Sequence, residues 1–138
     1  MIQRVQSIWL LLASTCAFIS LKLPFYSGTN SANVPSYRLM GTENFPLMLL
    51  TIAIGITALF TIFVYSNRKL QLRLSLLGVL LEGLLIFVYY RETTGFIAGT
   101  GTYSLTAVLQ VLILVFFFLA IRGISHDNKI IKESNRLR

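Results

Sequence analysis

Charged residues are scarce in this sequence. Aspartate, glutamate, lysine and arginine together make up 12% of its 138 residues, whereas a soluble domain carries roughly 25%. The few charges are also unevenly placed, so that long stretches contain almost none. Low charge of this kind disfavours a soluble fold, and the length leaves room for one small domain and no second one.

Cysteine and histidine occur once each, which excludes several kinds of site. Cys16 has no second cysteine for an internal disulfide or for a paired-cysteine oxidoreductase. His126, beside Asp127, supplies one metal ligand where a metal site needs several. The sequence contains no zinc-protease helix motif, nucleophile elbow or phosphate-binding loop. We therefore expect no catalytic residue, no metal and no cofactor, and we interpret the chain as non-enzymatic.

What the chain does contain is four apolar stretches. Each is about 20 residues long, enough for a helix to cross the roughly 30 Å hydrocarbon core of a bilayer. We predict an all-α fold, an integral membrane bundle of four transmembrane helices forming a single domain, 1–138. The predicted spans are about 5–23, 45–65, 70–90 and 102–121, followed by a tail at 122–138, and the polar segment 25–44 is predicted to be an exposed loop.

The positive charges indicate the orientation of this bundle. Lysine and arginine collect on the cytoplasmic side of membrane proteins, above all in short loops. Nine of them fall on one side of the predicted spans: Arg4, Arg68, Lys69, Arg73, Arg122, Lys129, Lys132, Arg136 and Arg138. Three fall on the other: Lys22, Arg38 and Arg91. We predict that both termini are cytoplasmic, and we attribute the net charge of +7 to topology and not to nucleic-acid binding.

A cleaved signal peptide is the alternative for the first span, because Arg4 precedes an apolar run. The stretch Ala13-Ser14-Thr15-Cys16 resembles a lipoprotein cleavage site. However, Ala13 replaces the usual leucine, Thr15 replaces a smaller residue, and the apolar run continues past Cys16. These departures favour an uncleaved span.

Glu82 is the only charged residue deep inside a predicted span. An ionisable group in mid-membrane costs about 2.5–3.5 kcal/mol on insertion scales and normally faces a partner or a cavity. Counting from the span ends places Gln110, Thr51 and Thr15 at a similar depth, which predicts a polar layer, although depth does not show which way each side chain faces. Two interpretations remain open: a proton or cation site centred on Glu82, or a protonated Glu82 that hydrogen-bonds across the bundle.

Small residues mark places where helices approach closely. Ala13 and Ala17, and likewise Thr51 and Gly55, are spaced four apart as in close helix contacts. Gly78 and Gly83 flank Glu82 and are expected to admit a neighbouring helix. We interpret these patterns as ordinary packing within the chain, and homo-oligomerisation through them remains an alternative.

The basic tail also contains apolar residues, including Ile124, Ile130 and Ile131. A short helix lying on the membrane surface would place its isoleucines in the headgroup boundary and its cations near anionic lipid. A docking site for a cytoplasmic or membrane protein is the alternative. The candidate lipid- or partner-binding residues are Gln3, Arg4, Gln6, Lys129, Lys132, Arg136, Leu137 and Arg138.

Both ends of the chain resemble a known family. The opening Met1-Ile2-Gln3-Arg4-Val5-Gln6-Ser7, the stretch from Arg122 to Asp127, the stretch Ile130-Ile131-Lys132 and the ending Arg136-Leu137-Arg138 resemble domain of unknown function 4293, a small bacterial membrane family. The resemblance implies a four-span protein of the bacterial cytoplasmic (inner) membrane and carries over no catalytic residue. Asn128 and Lys129 stand where the family usually has acidic residues, which weakens any charge-specific role for the tail.

Two functions are compatible with these features. The first is a non-enzymatic accessory or scaffold protein whose basic cytoplasmic face meets membrane lipids or a protein partner. The second is a small proton-coupled transporter that uses Glu82. The length and span number are similar to those of small multidrug resistance proteins, but those have their glutamate in the first span and Glu82 is in the third, so the likeness is one of layout.

Overall fold

The chain folds as a helical bundle with a small sheet at one end. The computed structural model describes residues 3–33, 35–104 and 106–136. Its helices are α1 (Gln3–Ser20), α2 (Phe45–Phe63), α3 (Arg68–Thr93) and α4 (Ala107–Arg136). Its strands are β1 (Pro24–Gly28), β2 (Tyr37–Met40) and β3 (Thr102–Tyr103). The mostly helical fold was predicted, whereas the all-α assignment missed the sheet.

The four helices form a ring in which each packs against the next and α4 packs against α1. Within every helix, buried positions recur at alternating intervals of four and three residues. They are Gln6, Leu10, Ala13, Ala17 and Ser20 in α1; Leu47, Thr51, Ile54, Ala58 and Thr61 in α2; Gln71, Ser75, Gly78, Glu82, Leu85 and Tyr89 in α3; and Gln110, Ile113, Phe117, Ala120, Ile124 and Asp127 in α4. An average repeat of 3.5 residues is the packing geometry of left-handed helical bundles. We call these positions the seam.

The outer surface of the bundle carries many large apolar side chains. Large side chains point outward along every helix, among them Phe63, Leu80 and Phe45, which are 76%, 74% and 70% exposed. The seam, in contrast, holds much of the buried polar material, including Gln71, Glu82 and Gln110. Extensive exposed apolar surface marks contact with lipid or with another protein.

Three of the helices are long and apolar enough to cross a membrane: Phe45–Phe63, Arg68–Thr93 and Ala107–Ser134. The apolar part of α1, Val5–Ser20, is shorter. Three of the four predicted spans therefore correspond to helices that qualify by length and composition, whereas the helix at the first predicted span is shorter.

The tail does not form a separate helix on a surface. Instead, α4 continues without a break from Ala107 to Arg136, about 45 Å at helical rise. Nothing in this segment stops a helix, since it contains no proline and its one glycine, Gly123, lies at a close contact with Gln6. The prediction of a surface-lying tail helix is therefore wrong, because the tail is the last part of α4.

The segment predicted to be a loop contains two of the three strands. β1 pairs antiparallel with β2 on one side and with β3 on the other, in the order β2-β1-β3. β3 includes Thr102, which the sequence assigned to the last span, so that α4 begins at Ala107. Gly28 permits the close approach of the two connections, because a Cβ atom there would lie 2.6 Å from the Cα of Gly101. We call this end of the bundle the sheet end, and the opposite end, where α2 turns into α3, the terminal end.

Gly78 and Gly83 lie in very different surroundings on α3. A Cβ atom on Gly78 would lie 2.4 Å from the ring of Phe117, which is fully buried on α4. A Cβ atom on Gly83 would meet nothing within 4 Å. Gly78 therefore admits a neighbouring helix as expected, whereas Gly83 faces outward and does not.

This difference gives a matched pair of variants. Gly78→Ala should lower the free energy of unfolding by about 1–3 kcal/mol, because the fully buried Phe117 ring would have to shift to admit the added methyl group. Gly83→Ala should leave stability unchanged or raise it by up to about 1 kcal/mol, because alanine favours the helix and meets no atom. Thermal unfolding in detergent micelles measures both. Equal melting temperatures for the two variants would contradict the packing of α3 on α4.

Candidate functional site

Glu82 lies on the seam of α3 and has no exposed surface. Neither carboxyl oxygen has a hydrogen-bond partner among the residues that the structure describes. Buried polar atoms are nearly always hydrogen-bonded, and leaving one unpaired costs about 1–3 kcal/mol. The hydrogen bond across the bundle that one sequence interpretation required is therefore not formed by Glu82 here.

Gln110 lies on the facing seam of α4 and is 2% exposed. The contact between Gly78 and Phe117 fixes the relative position of α3 and α4. Counting along both helices from that contact places Glu82 and Gln110 at levels about 4.5 Å apart, less than one helical turn. The Gln110 side-chain oxygen is also buried without a hydrogen-bond partner in the described part of the chain. The predicted pairing of these two residues in one layer is thus compatible with the packing.

Tyr89 is a third member of this layer, and the sequence analysis missed it. It is fully buried on the seam of α3, two turns closer to the sheet end than Glu82. Long side chains of a helix lean toward its N-terminus, and the Tyr89 hydroxyl lies close enough to Glu82 for an electrostatic interaction. It also lies beside the Thr51 side chain, although without the geometry of a hydrogen bond. Tyr89 stands one residue before the end of the predicted span 70–90, where a tyrosine ring ordinarily lies at the membrane interface, so its position along the sequence does not indicate a place in the layer.

The two threonines of the predicted layer differ. Thr51 is fully buried on the seam of α2, and its hydroxyl donates to the Leu47 carbonyl at 2.7 Å. Thr15 is exposed on α1, and its hydroxyl donates to the Leu11 carbonyl at 2.8 Å. Thr15 therefore does not join the layer. The buried Ser14 of α1 donates its hydroxyl to the Gly55 carbonyl at 3.1 Å and ties α1 to α2.

Aromatic rings close the layer on both sides. Toward the terminal end, the Phe117 ring lies directly against Gly78, one turn from Glu82. Toward the sheet end, the Phe25 ring of β1 stacks on the Tyr89 ring with centroids 4.3 Å apart. Gly41 also contacts this region, since a Cβ atom there would lie 2.9 Å from the Tyr89 hydroxyl oxygen. We call Thr51, Glu82, Tyr89 and Gln110 the polar layer.

A second polar contact lies at the terminal end. The Gln6 side-chain amide donates to the Asp127 carboxylate at 2.6 Å, and both residues are buried. Gln6 was a candidate for binding a lipid or a partner, but it is instead committed to this contact between α1 and α4. Hydrogen bonds to charged groups contribute about 1.5–3 kcal/mol, so the contact holds the extension of α4 against α1.

The remaining candidate lipid- or partner-binding residues at the two ends of the chain are either exposed or not described by the structure. Lys129 and Lys132 are exposed on α4. Gln3 and Arg4 lie in α1 and Arg136 in α4, but their side chains are outside the described part of the structure. Leu137 and Arg138 lie outside the described residues altogether.

The sheet end carries its own polar side chains. The Tyr37 hydroxyl donates to the Glu43 carboxylate at 3.1 Å. Burial, together with this hydrogen bond and the Glu43 charge, raises the pKa of the Tyr37 phenol. Within the described residues, no three histidine, cysteine, aspartate or glutamate side chains come together as metal ligands do. The polar layer contains one acid, Glu82, and the neutral hydroxyl and amide groups of Thr51, Tyr89 and Gln110.

Taken together, the structure defines a mostly helical protein with three helices that are long and apolar enough to span a membrane and with a buried acid on the seam. The sequence profile of domain of unknown function 4293 matches residues 2–137, and the chain belongs to that family. The family resemblance seen at the two ends thus extends through the helices. Searches of curated proteins and of solved structures found no match.

Replacing Glu82 with an apolar residue of similar size tests whether it stabilises the fold. Glu82→Met should leave the free energy of unfolding unchanged or raise it by about 1–3 kcal/mol, because it removes a buried acid whose oxygen atoms have no partner in the structure. Thermal unfolding in detergent provides the measurement. Glu92→Met, at the end of the same helix, serves as the control. A loss of more than about 1 kcal/mol for Glu82→Met would show that Glu82 has a structural role.

Proposed function

We propose that this chain is a multi-pass protein of the bacterial cytoplasmic membrane that spans the bilayer four times, with both termini in the cytoplasm. The apolar outer surface of the bundle around a partly polar seam supports this proposal, because it reverses the distribution of a water-soluble bundle. The excess of lysine and arginine at the terminal end supports the orientation.

The position of α1 beside α4 supports counting α1 as the fourth span. Near its start, Gln6 contacts Asp127 of α4. Just after its end, the Pro24 carbonyl accepts a hydrogen bond from the Thr106 hydroxyl, which directly precedes α4. Along the bundle axis, the segment from Gln6 to Pro24, which contains most of α1, is therefore as long as the part of the chain from Thr106 to Asp127. A span that is slightly shorter than the hydrocarbon core is accommodated by local thinning of the bilayer.

We propose further that the protein is a non-enzymatic accessory or scaffold protein whose basic cytoplasmic face binds anionic lipid. The observation that carries this proposal is the unbroken extension of α4 beyond Asp127. A bilayer measures about 40–45 Å with its headgroups, so an α4 of about 45 Å places its last turns in the inner headgroup layer. Exposed Lys129 and Lys132 lie on these turns, next to Ile130 and Ile131, which are 44% and 43% exposed.

Charge reversal at this extension tests the lipid proposal. Lys129→Glu with Lys132→Glu should weaken retention of phosphatidylglycerol about 30-fold or more, because each cation near the headgroups contributes roughly 1 kcal/mol. Native mass spectrometry of the purified protein, with mixed anionic and zwitterionic lipids, measures the bound lipid. Lys22→Glu, on the opposite side of the bundle, is the matched control.

Deleting 129–138 gives the second arm of this test, and it leaves the contact between Gln6 and Asp127 intact. A reporter fused to the C-terminus should stay cytoplasmic with and without the deletion. Unchanged lipid retention in both variants would contradict lipid binding. Loss of a stoichiometric protein from the purified complex in the same variants would show that the basic end binds a protein partner instead. A periplasmic reporter would contradict the proposed topology.

A small proton-coupled transporter that uses Glu82 is the second candidate function. The complete burial of Glu82 without a hydrogen-bond partner in the described chain favours it, because ionisable groups kept inside a membrane bundle commonly serve proton or ion movement. In this candidate, Glu82 binds and releases a proton as a substrate moves past the polar layer.

Transport by liposomes containing the purified protein tests this candidate. Wild-type protein should exchange protons for ethidium, a lipophilic cation used as the probe, and Glu82→Gln should abolish the exchange because glutamine cannot carry a proton. Glu92→Gln should retain it. An internal pH dye reports proton movement. A Glu82→Gln protein as active as wild type, or a wild-type protein that does not move the probe, would contradict the candidate.

A further inference from the structure

Four buried oxygen atoms of the polar layer have no hydrogen-bond partner among the described residues. They are the two carboxyl oxygens of Glu82, the hydroxyl oxygen of Tyr89 and the side-chain oxygen of Gln110. One other buried side-chain atom shares this property, a guanidinium nitrogen of Arg68, which lies about 21 Å from Glu82 along α3. The unpartnered oxygen atoms are thus concentrated at one level of the bundle.

Among the described residues, no buried cationic side chain stands opposite Glu82 on a neighbouring helix. The buried polar and charged residues of the described chain include no lysine and no arginine. Asp127, the other buried acid, lies on α4 about 25 Å from Gln110 along the helix. At the level of Glu82, α2 contributes Thr51 and α4 contributes Gln110, both neutral, and the titratable neighbour on α3 is Tyr89.

Oxygen atoms of carboxylate, amide and hydroxyl groups are the ligands that hard cations prefer. A single carboxylate matches one positive charge, so a monovalent cation gives a neutral complex, whereas a divalent cation would leave an uncompensated charge in the interior. One bound proton supplies a single hydrogen-bond donor. A metal cation, in contrast, is coordinated by several oxygen atoms together.

We propose that Glu82, Tyr89 and Gln110, with Thr51 beside them, form an occluded site for one small monovalent cation such as Na⁺. The site rests on the proposed membrane bundle, and its cation is the ion that Glu82 would bind in the second candidate function. Phe117 against Gly78 closes it toward the terminal end, and the stack of Phe25 on Tyr89 closes it toward the sheet end. Proton and cation compete for the same carboxyl group.

Labelling by dicyclohexylcarbodiimide distinguishes the two ligands. This apolar reagent enters bilayers and modifies protonated carboxyl groups, so a cation bound at Glu82 prevents the reaction. The purified full-length protein is labelled in nanodiscs at several pH values in NaCl, LiCl, KCl or choline chloride at constant ionic strength. Mass spectrometry of peptides quantifies modification at Glu82, with Glu43 and Glu92 as internal controls outside the polar layer.

We expect Na⁺ to protect Glu82 at least tenfold relative to choline, with protection weakening as the pH falls, and to leave Glu43 and Glu92 unaffected. Labelling that depends on pH and not on any metal cation would overturn the cation site while leaving the proton-coupled candidate intact. No labelling of Glu82 in choline at any pH would overturn both.

Two variants locate the ligands. Tyr89→Phe and Gln110→Leu should each raise the Na⁺ concentration for half-protection at least tenfold, without changing the labelling of Glu82 in choline. Tyr90→Phe, at the exposed neighbour on α3, is the matched control and should behave as wild type. Wild-type affinity for Na⁺ in both Tyr89→Phe and Gln110→Leu would remove these two residues from the site. The wild-type measurement stands by itself if either variant fails to fold.

Discussion

The bundle depends on how α1 to α4 meet along the seam. In the proposed membrane setting, with large apolar side chains facing lipid, burial from water would contribute little to helix association, so close packing and polar contacts would hold the helices together. The seam provides both: Ala13 and Ala17 bring the backbones together, Gly78 accepts the Phe117 ring, and Ser14 donates to a carbonyl of α2. The same repeat of four and three residues carries Glu82 into the interior, where it cannot turn toward the surface.

The polar groups of the seam fall into two sets that differ in whether they are hydrogen-bonded. At the terminal end they are paired: Gln6 with Asp127, and Gln71, whose amide donates to the Thr61 carbonyl at 3.4 Å. In the polar layer, the oxygen atoms of Glu82, Tyr89 and Gln110 have no such partners in the described chain. Paired groups stabilise helix contacts, whereas unpartnered ones cost stability and are retained when another property requires them. This contrast makes the polar layer, and not the paired seam residues of the terminal end, the candidate for ion binding inside the bundle.

Much of the helical fold could be predicted from the sequence, since the apolar runs mark α1, α2, most of α3 and the first half of α4. Depth counting also brought Glu82, Gln110 and Thr51 to one level, but depth carries no information on direction. Thr15 shows this, because it falls between the seam positions Ala13 and Ala17, and following the four-and-three repeat would have excluded it. Tyr89 falls on that repeat, but it stands near the end of the predicted span and so lies outside the depth count. The strands could not be predicted from local pattern, because β1 and β3 are very short and pair across most of the chain.

The pairing of β1 with both other strands restricts how the bundle can move. β1 follows α1, β2 precedes α2 and β3 precedes α4, so the sheet joins the connection between the first two helices to the connection between the last two. A rocking motion that separated these two halves at the sheet end would break the hydrogen bonds between β1 and β3 and unstack Phe25 from Tyr89. At the terminal end, the same two halves are joined by the short turn between α2 and α3, by the hydrogen bond from Gln71 to the Thr61 carbonyl and by the pair of Gln6 and Asp127. The two halves of the bundle are therefore fastened to each other at both ends, by strand pairing at one end and by a chain connection with side-chain hydrogen bonds at the other.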